Sequence, residues 1–333
     1  MFSKLGTISL LLLDGDSLAT VLSPFLIPRL PMVSLRDNLP SDRDRNPFNH
    51  HFSARLLVLW FLGISLVLGM ILGIVAQVFQ LEIADASLIL PLNALVWLLL
   101  CALLLLQMRV LRVSPAALVG RWPRDRSWVF SLLLVLPVLL FSVGSGQLFF
   151  YFLAQLNPDF VLSLLSRQVP LPAAGGSFVQ GIVALVAIVV VAPITEEFVF
   201  RGVLLHRWAA KWGVQPAIVL SSLVFGLLHA NIVGLTIFGA IVALVYLKTG
   251  SLWVAIACHA CNNALAVTFS LLSGSNAPAS PEQMLEQFAS DWLLGFVCLV
   301  LSAPWLAFFI ARNWPPKGAK LPYALNAPFA SRR

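Results

Sequence analysis

Glu196 and Glu197 lie in Pro193-Ile194-Thr195-Glu196-Glu197-Phe198-Val199-Phe200-Arg201-Gly202, at the end of a long apolar run. His229 ends the stretch Phe225-Gly226-Leu227-Leu228-His229, and Cys258-His259-Ala260-Cys261-Asn262-Asn263 interrupts a third run. A charged group at the centre of such a run costs at least ~2.5–3.5 kcal/mol on insertion scales, and normally has a partner and a function. On a helix, Glu197 and Arg201 are four apart, share a face and can form a structural ion pair. Pairing lowers the cost of burying either charge. Glu196 is turned by about 100° from its neighbour and is left out of that pair. His259 and Asn263 are also four apart and can converge on one small volume, while His229 arrives from another helix. A carboxylate, with or without an imidazole, can deprotonate water. An imidazole N–H and an amide N–H can stabilise the oxyanion of a tetrahedral intermediate. Glu196, His229, His259 and Asn263 together therefore suit hydrolysis of an amide.

Blander readings stand beside this one. A single buried histidine such as His229 is more often packed than catalytic, and Asn263 can serve simply to bond a neighbouring helix. Glutamate and histidine also ligate zinc, so residue types alone leave open a zinc site built from Glu196, His229 and His259. Cys258 and Cys261 bracket His259 but share a face that His259 does not, and there is no H-E-x-x-H motif. Ser222 is two helical turns from His229, too far for a direct hydrogen bond within the helix, and there is no G-x-S-x-G. A serine nucleophile is disfavoured.

The elements that must carry these groups are membrane helices. Of the 333 residues, 59% are hydrophobic and 11% charged, against about 25% charged in a soluble domain. Continuous apolar runs near 56–80, 88–108, 128–156, 179–200, 215–230, 232–247, 251–272 and 291–311 predict an all-α polytopic bundle of about eight transmembrane helices. The polar groups of the second half imply an intramembrane polar cavity. Two runs, 215–230 and 232–247, are short and nearly contiguous; a tilt, or a junction below the membrane surface beside a cavity, accounts for them.

The net charge of +7 comes mainly from Lys and Arg lying between apolar runs, which speaks for anionic lipid headgroups rather than nucleic acid. Arg43, Arg45 and Arg55 precede the first run; Glu82 and Asp85 follow it; Arg109, Arg112, Arg121, Arg124 and Arg126 come next. The alternation continues through a neutral Asp159/Arg167 loop, through Arg201, Arg207 and Lys211, the uncharged turn at Asn231, Lys248, and the acidic Glu282/Glu286 loop to a basic tail. By the positive-inside rule both termini are cytoplasmic, in a plasma or other inner membrane. Residues 1–53 read as a partly disordered cytoplasmic tail, in which the Ile8–Leu13 patch is too short to span and Met32 is an alternative start. Residues 54–312 form the transmembrane domain and 313–333 a basic cytoplasmic tail. The four cysteines lie in apolar runs and read as small buried side chains.

At E-E-x-x-x-R (Glu196 to Arg201), F-x-x-x-H (Phe225 to His229) and H-x-x-x-N (His259 to Asn263), the chain resembles the CAAX-processing and bacteriocin-processing intramembrane endopeptidases, the Abi family. The three motifs occur in order, each on a predicted membrane helix, and the resemblance covers about 178–272. It implies Glu196 as general base assisted by His229, an oxyanion hole of His259 and Asn263, and Glu197, Arg201 and Phe225 as structural support. It further implies a glutamate-dependent mechanism with no metal and no soluble cofactor, and a membrane-associated peptide or protein substrate of CAAX or bacteriocin-leader type, with or without a lipid. The alternative is a non-enzymatic immunity or scaffold protein, or a proton-coupled transporter.

Overall fold

The computed structural model describes residues 48, 52–80, 86–165, 178–273 and 280–330, all within one compact unit, Pro40–Arg333. Every regular element among them is helical. In chain order they are α1 (Ala54–Phe79), α2 (Ala86–Val110), α3 (Pro115–Val119), α4 (Ser127–Leu133), α5 (Val135–Leu156), α6 (Pro158–Leu165) and α7 (Phe178–Val186). A π-helical segment (Ala187–Val191), α8 (Ala192–Glu197), a second π-helical segment (Phe198–Leu204) and α9 (Leu205–Trp212) continue α7 as one long, broken helix. Then come α10 (Val214–Leu227), α11 (Ile232–Thr249), α12 (Leu252–Ser273), α13 (Pro281–Ser290), α14 (Trp292–Asn313) and α15 (Pro322–Ala330).

Among the described residues, seven stretches are long and apolar enough to cross a bilayer: Ala54–Phe79, Leu88–Val110, Trp128–Leu156, Phe178–Trp212, Ile232–Thr249, Leu252–Leu272 and Trp292–Asn313. Helical hydrogen bonding satisfies most of the backbone of each, as hydrocarbon demands. Their outer faces carry bare apolar side chains; on α1, Val58, Leu62, Leu66 and Ile74 are all more than half exposed. The molecule is an all-α, integral membrane bundle. Its best-packed region lies where the broken helix meets α10, α11 and α12, around Val203, Ile218, Phe225, Phe238, Leu244 and Leu252.

The eighth apolar run behaves differently. Expected over 215–230, it forms α10, fourteen residues long and about 21 Å in length, short of the ~30 Å hydrocarbon core. The chain enters α10 through Gly213, whose φ of +92° is open mainly to glycine. It leaves through a turn at 228–231 that Asn231 clamps. The Asn231 Oδ1 caps α11 by accepting from Gly234 N at 3.0 Å and also accepts from Ser145 Oγ at 3.4 Å, while its Nδ2 donates to Ser142 O at 2.6 Å. Ser142 stands at the middle of the Trp128–Leu156 span, so the turn sits at membrane depth. Irregular backbone is tolerated there when protein groups satisfy it, and Asn231 and the α5 serines do so.

One set of helix ends is knitted together by hydrogen bonds. Gln215 Nε2 donates to Pro315 O (2.8 Å), Lys248 Nζ to Asn313 Oδ1 (3.0 Å), and Asn326 Nδ2 to both Ala117 O (3.1 Å) and Gly250 O (2.9 Å). These bonds join the connections after α2, α9, α11 and α14, which are the basic ones. At the opposite ends, Gln147 Nε2 donates to Gln287 O and Phe288 O of α13, and this face carries Asp159, Glu282 and Glu286.

The stretch read as a basic tail, 313–333, contains the ordered helix α15. Nine residues are too few to hold a helix alone; docking supplies what local sequence does not. Gly120, with φ of +69°, permits the approach, because a Cβ there would overlap Gly250 O and Asn326 Nδ2. Near the other end of the chain, Phe48 and Phe52 are buried and stacked, ring centroids 5.0 Å apart. The rest of the expected tail before Phe48, with the Ile8–Leu13 patch, Met32, Arg43 and Arg45, lies outside the described residues, as do Glu82, Asp85 and Arg167.

Candidate active site

The segment bearing the two glutamates hangs between two widened helical turns. In the first π-helical segment Ala192 N donates to Ala187 O, five residues back. The next bond in that register would be Pro193 N to Ile188 O, and proline has no N–H. Asn263 Nδ2 takes its place, donating to Ile188 O at 2.9 Å. Thr195 Oγ1 bonds back to Val191 O at 2.8 Å. The missing donor of Pro193 thus creates the acceptor that orients Asn263 from α12. Insertions of this kind occur frequently at functional sites.

Glu197 and Arg201 are both 0% exposed, with Arg201 Nη1 2.9 Å from Glu197 Oε1. Arg201 Nη2 donates to Gly239 O at 2.9 Å, and its guanidinium lies 4.7 Å from the centroid of Phe225. Gly239 has to be small: a Cβ would stand 3.2 Å from Arg201 Nη2 and 3.0 Å from Ser222 Cα. The same Glu197 Oε1 also accepts from His259 Nδ1 at 2.8 Å. That contact was not expected from spacing, which treated Glu197 and Arg201 as a self-contained pair. The partners are 62 residues apart and no local pattern links them.

His259 turns its other nitrogen to Glu196, with Nε2 and Glu196 Oε2 3.9 Å apart. Phe238 and Phe225 pack edge-on against the His259 ring at 4.9 and 5.8 Å. The ring is thus held by two carboxylates and two aromatic faces. The Glu196 side chain keeps 12% exposure, and His229 and Asn263 are half-buried, so the cluster is open on this side. His229 sits in the turn after α10 and donates Nδ1–H to Phe225 O at 2.7 Å, its ring 4.6 Å from that of Phe225. The amide carbonyl can only accept, so Nδ1 is the donor, and in the neutral imidazole Nε2 carries the lone pair. The Glu196 carboxyl is within electrostatic reach of both His259 and His229.

The structure brings together Glu196, Glu197, Arg201, Phe225, His229 and His259, and sets Asn263 one turn along α12 from His259. Asn262 is buried, and its Nδ2 reaches Asn263 Oδ1 at 3.5 Å. Sequence reasoning missed Gly239, Phe238, Asn231 and the α5 serines. Of these, only Asn231 carries a local signal, as a helix N-cap residue. Among the described residues no three His, Cys, Asp or Glu side chains are grouped as metal ligands, and all four cysteines are free thiols. An apolar groove of about 360 Å³ between α1 and α2, lined by Leu59, Trp60, Gly63, Val67 and Leu99 among others, includes none of the site residues.

Residues 178–265 match the family model described as type II CAAX prenyl endopeptidase Rce1-like. Over this segment the chain is similar to the Rce1-like family. The segment runs from the start of α7 to the middle of α12 and contains every residue of the cluster. The matched segment lies within the membrane bundle, and the family it resembles is one of CAAX-type endopeptidases. No curated protein and no solved structure matched the chain.

Proposed function

We propose that this chain is an intramembrane glutamic endopeptidase that uses a water activated by Glu196. Glu196 removes a proton from water as the water oxygen bonds the scissile carbonyl carbon. The lone pair on His229 Nε2 steers the same water. Electrons of the C=O bond move onto oxygen, and the oxyanion accepts N–H from His259 Nε2 and Asn263 Nδ2. Collapse breaks the C–N bond, and Glu196 returns its proton to the leaving amine. With its Nδ1–H already given to Glu197, a proton on Nε2 makes His259 an imidazolium, and the Glu196 and Glu197 carboxylates flank it. Glu197 and Arg201 hold the site in shape, with Phe225 packed between the arginine and the two imidazoles.

The observation that carries this reading is the convergence of Glu196 from the broken helix, His229 from the turn after α10 and His259 from α12 on one partly open volume at membrane depth. The substrate class is a membrane-associated peptide of CAAX or leader type, reached from the bilayer or its cytoplasmic side. Both termini are assigned to the cytoplasm, because the basic connections share one face. The test is cleavage, by protein purified in detergent, of a quenched fluorescent peptide with a prenylated cysteine near its C-terminus, and of the same peptide without the prenyl group. Glu196→Gln keeps size and polarity but not the base. The expected result is a loss of roughly 10³-fold or more in cleavage rate, with wild-type cleavage undiminished by chelators. Full cleavage by Glu196→Gln would exclude the mechanism, and chelator-sensitive cleavage would point to zinc.

A further inference from the structure

The two glutamates are suspended between two π-helical segments, and each segment has a carbonyl tied by a side chain. Asn263 holds Ile188 O in the first. In the second, His206 Nδ1 lies 3.0 Å from Arg201 O. His206 is 1% exposed and both its ring nitrogens are engaged: Tyr323 N, in the first turn of α15, donates to Nε2 at 3.3 Å. A backbone amide can only donate, so Nε2 is the acceptor and Nδ1 carries the proton given to Arg201 O. Phe48, Tyr246 and Tyr323 surround the ring with centroids at 5.2, 5.9 and 6.3 Å. Helix α15 is anchored separately by Asn326 to Ala117 O and Gly250 O. A continuous path therefore leads from the C-terminal helix, through one imidazole, to the backbone of the residue that pairs with Glu197.

We propose that His206 is a positioning residue through which the C-terminal helix α15 holds the π-helical register of 198–204, and so the aim of Glu196 and Glu197. The role in aiming Glu196 rests on the protease reading above; the hold on the π-helical register does not. Loosening the strap at either end should then have one shared consequence. Displacing a reacting group by a fraction of an ångström slows chemistry while leaving substrate binding in place.

The experiment uses the full-length chain in detergent or nanodiscs, with His206→Phe, His206→Gln, Asn326→Ala and the His206→Phe/Asn326→Ala double variant. Two readouts are taken: amide hydrogen exchange over 198–206, and kcat and KM on the prenylated reporter peptide. His206→Phe and Asn326→Ala should each speed exchange in that segment and lower kcat roughly tenfold with KM unchanged. The double variant should be no worse than the more severe single one, as expected of two changes acting through one element. His206→Gln, whose amide offers both a donor and an acceptor, should recover most of the activity. Asn326→Ala serves where His206→Phe fails to fold. Unaltered exchange in Asn326→Ala, or multiplicative losses in the double variant, overturns the proposal. Faster exchange as expected, in a protein whose wild type cleaves neither peptide, supports the strap and removes the protease reading.

Discussion

A carboxylate that shares one oxygen between a guanidinium and an imidazole has little freedom, whereas a neighbour with an open side is available to react. Glu197 is of the first kind and Glu196 of the second. Removing the charge of Glu197 leaves the buried Arg201 guanidinium facing only neutral hydrogen-bond acceptors, Gly239 O and the amide oxygen of the new side chain. Glu197→Gln is expected to destabilise the protein by about 3–5 kcal/mol, read as a drop in melting temperature in detergent, together with loss of activity. Glu196→Gln should melt close to wild type. Equal melting of the two variants would mean that Glu197 has no special structural burden. Asn263 has two amide hydrogens and spends one on Ile188 O. Replacing it with alanine removes the proposed oxyanion donor and should lower kcat by about 10²–10³-fold, measured on the same reporter peptide.

At the scale of elements, the broken helix and the short hairpin α10–α11 decide the geometry. Pro193→Ala restores an N–H that can bond Ile188 O in the π-helical register, in competition with Asn263. The variant is expected to lose roughly tenfold in kcat without a fall in melting temperature, since a helical hydrogen bond is gained. Unchanged kcat would show that Asn263 does not depend on that vacated carbonyl. In the hairpin, a Cβ at Gly226 would overlap Thr236 Oγ1 and approach Ile232 O to 2.6 Å. That close approach is what brings the His229 turn back against Ser142 and Ser145 of α5.

For the whole molecule, the helix ends divide into a basic face, bonded together through Gln215, Lys248 and Asn326, and a face bearing Asp159, Glu282 and Glu286. The orientation proposed from the positive-inside rule turns the basic face to the cytoplasm. A cysteine introduced by Glu286→Cys should react with a membrane-impermeant thiol reagent in intact cells, whereas Lys317→Cys should react only after permeabilisation. The reverse pattern would invert the assignment and move α15 to the outside.

Much of this molecule was legible without coordinates. Hydrocarbon admits only backbone that satisfies itself, so continuous apolar runs dictate membrane helices, and a buried charge at spacing four dictates its partner, as Glu197 and Arg201 illustrate. Expensive groups inside those runs also pointed to Glu196, His229 and His259, which the structure gathers into one cluster. The rest depended on contacts between residues far apart in the chain. The length of α10 followed from the Asn231 clamp on α5, the second partner of Glu197 from the packing of α12, the orientation of Asn263 from a carbonyl that Pro193 leaves vacant, and the order of α15 from its docking on α3. Local sequence encodes periodicity and propensity; it does not encode which carbonyl, one helix away, lacks a donor.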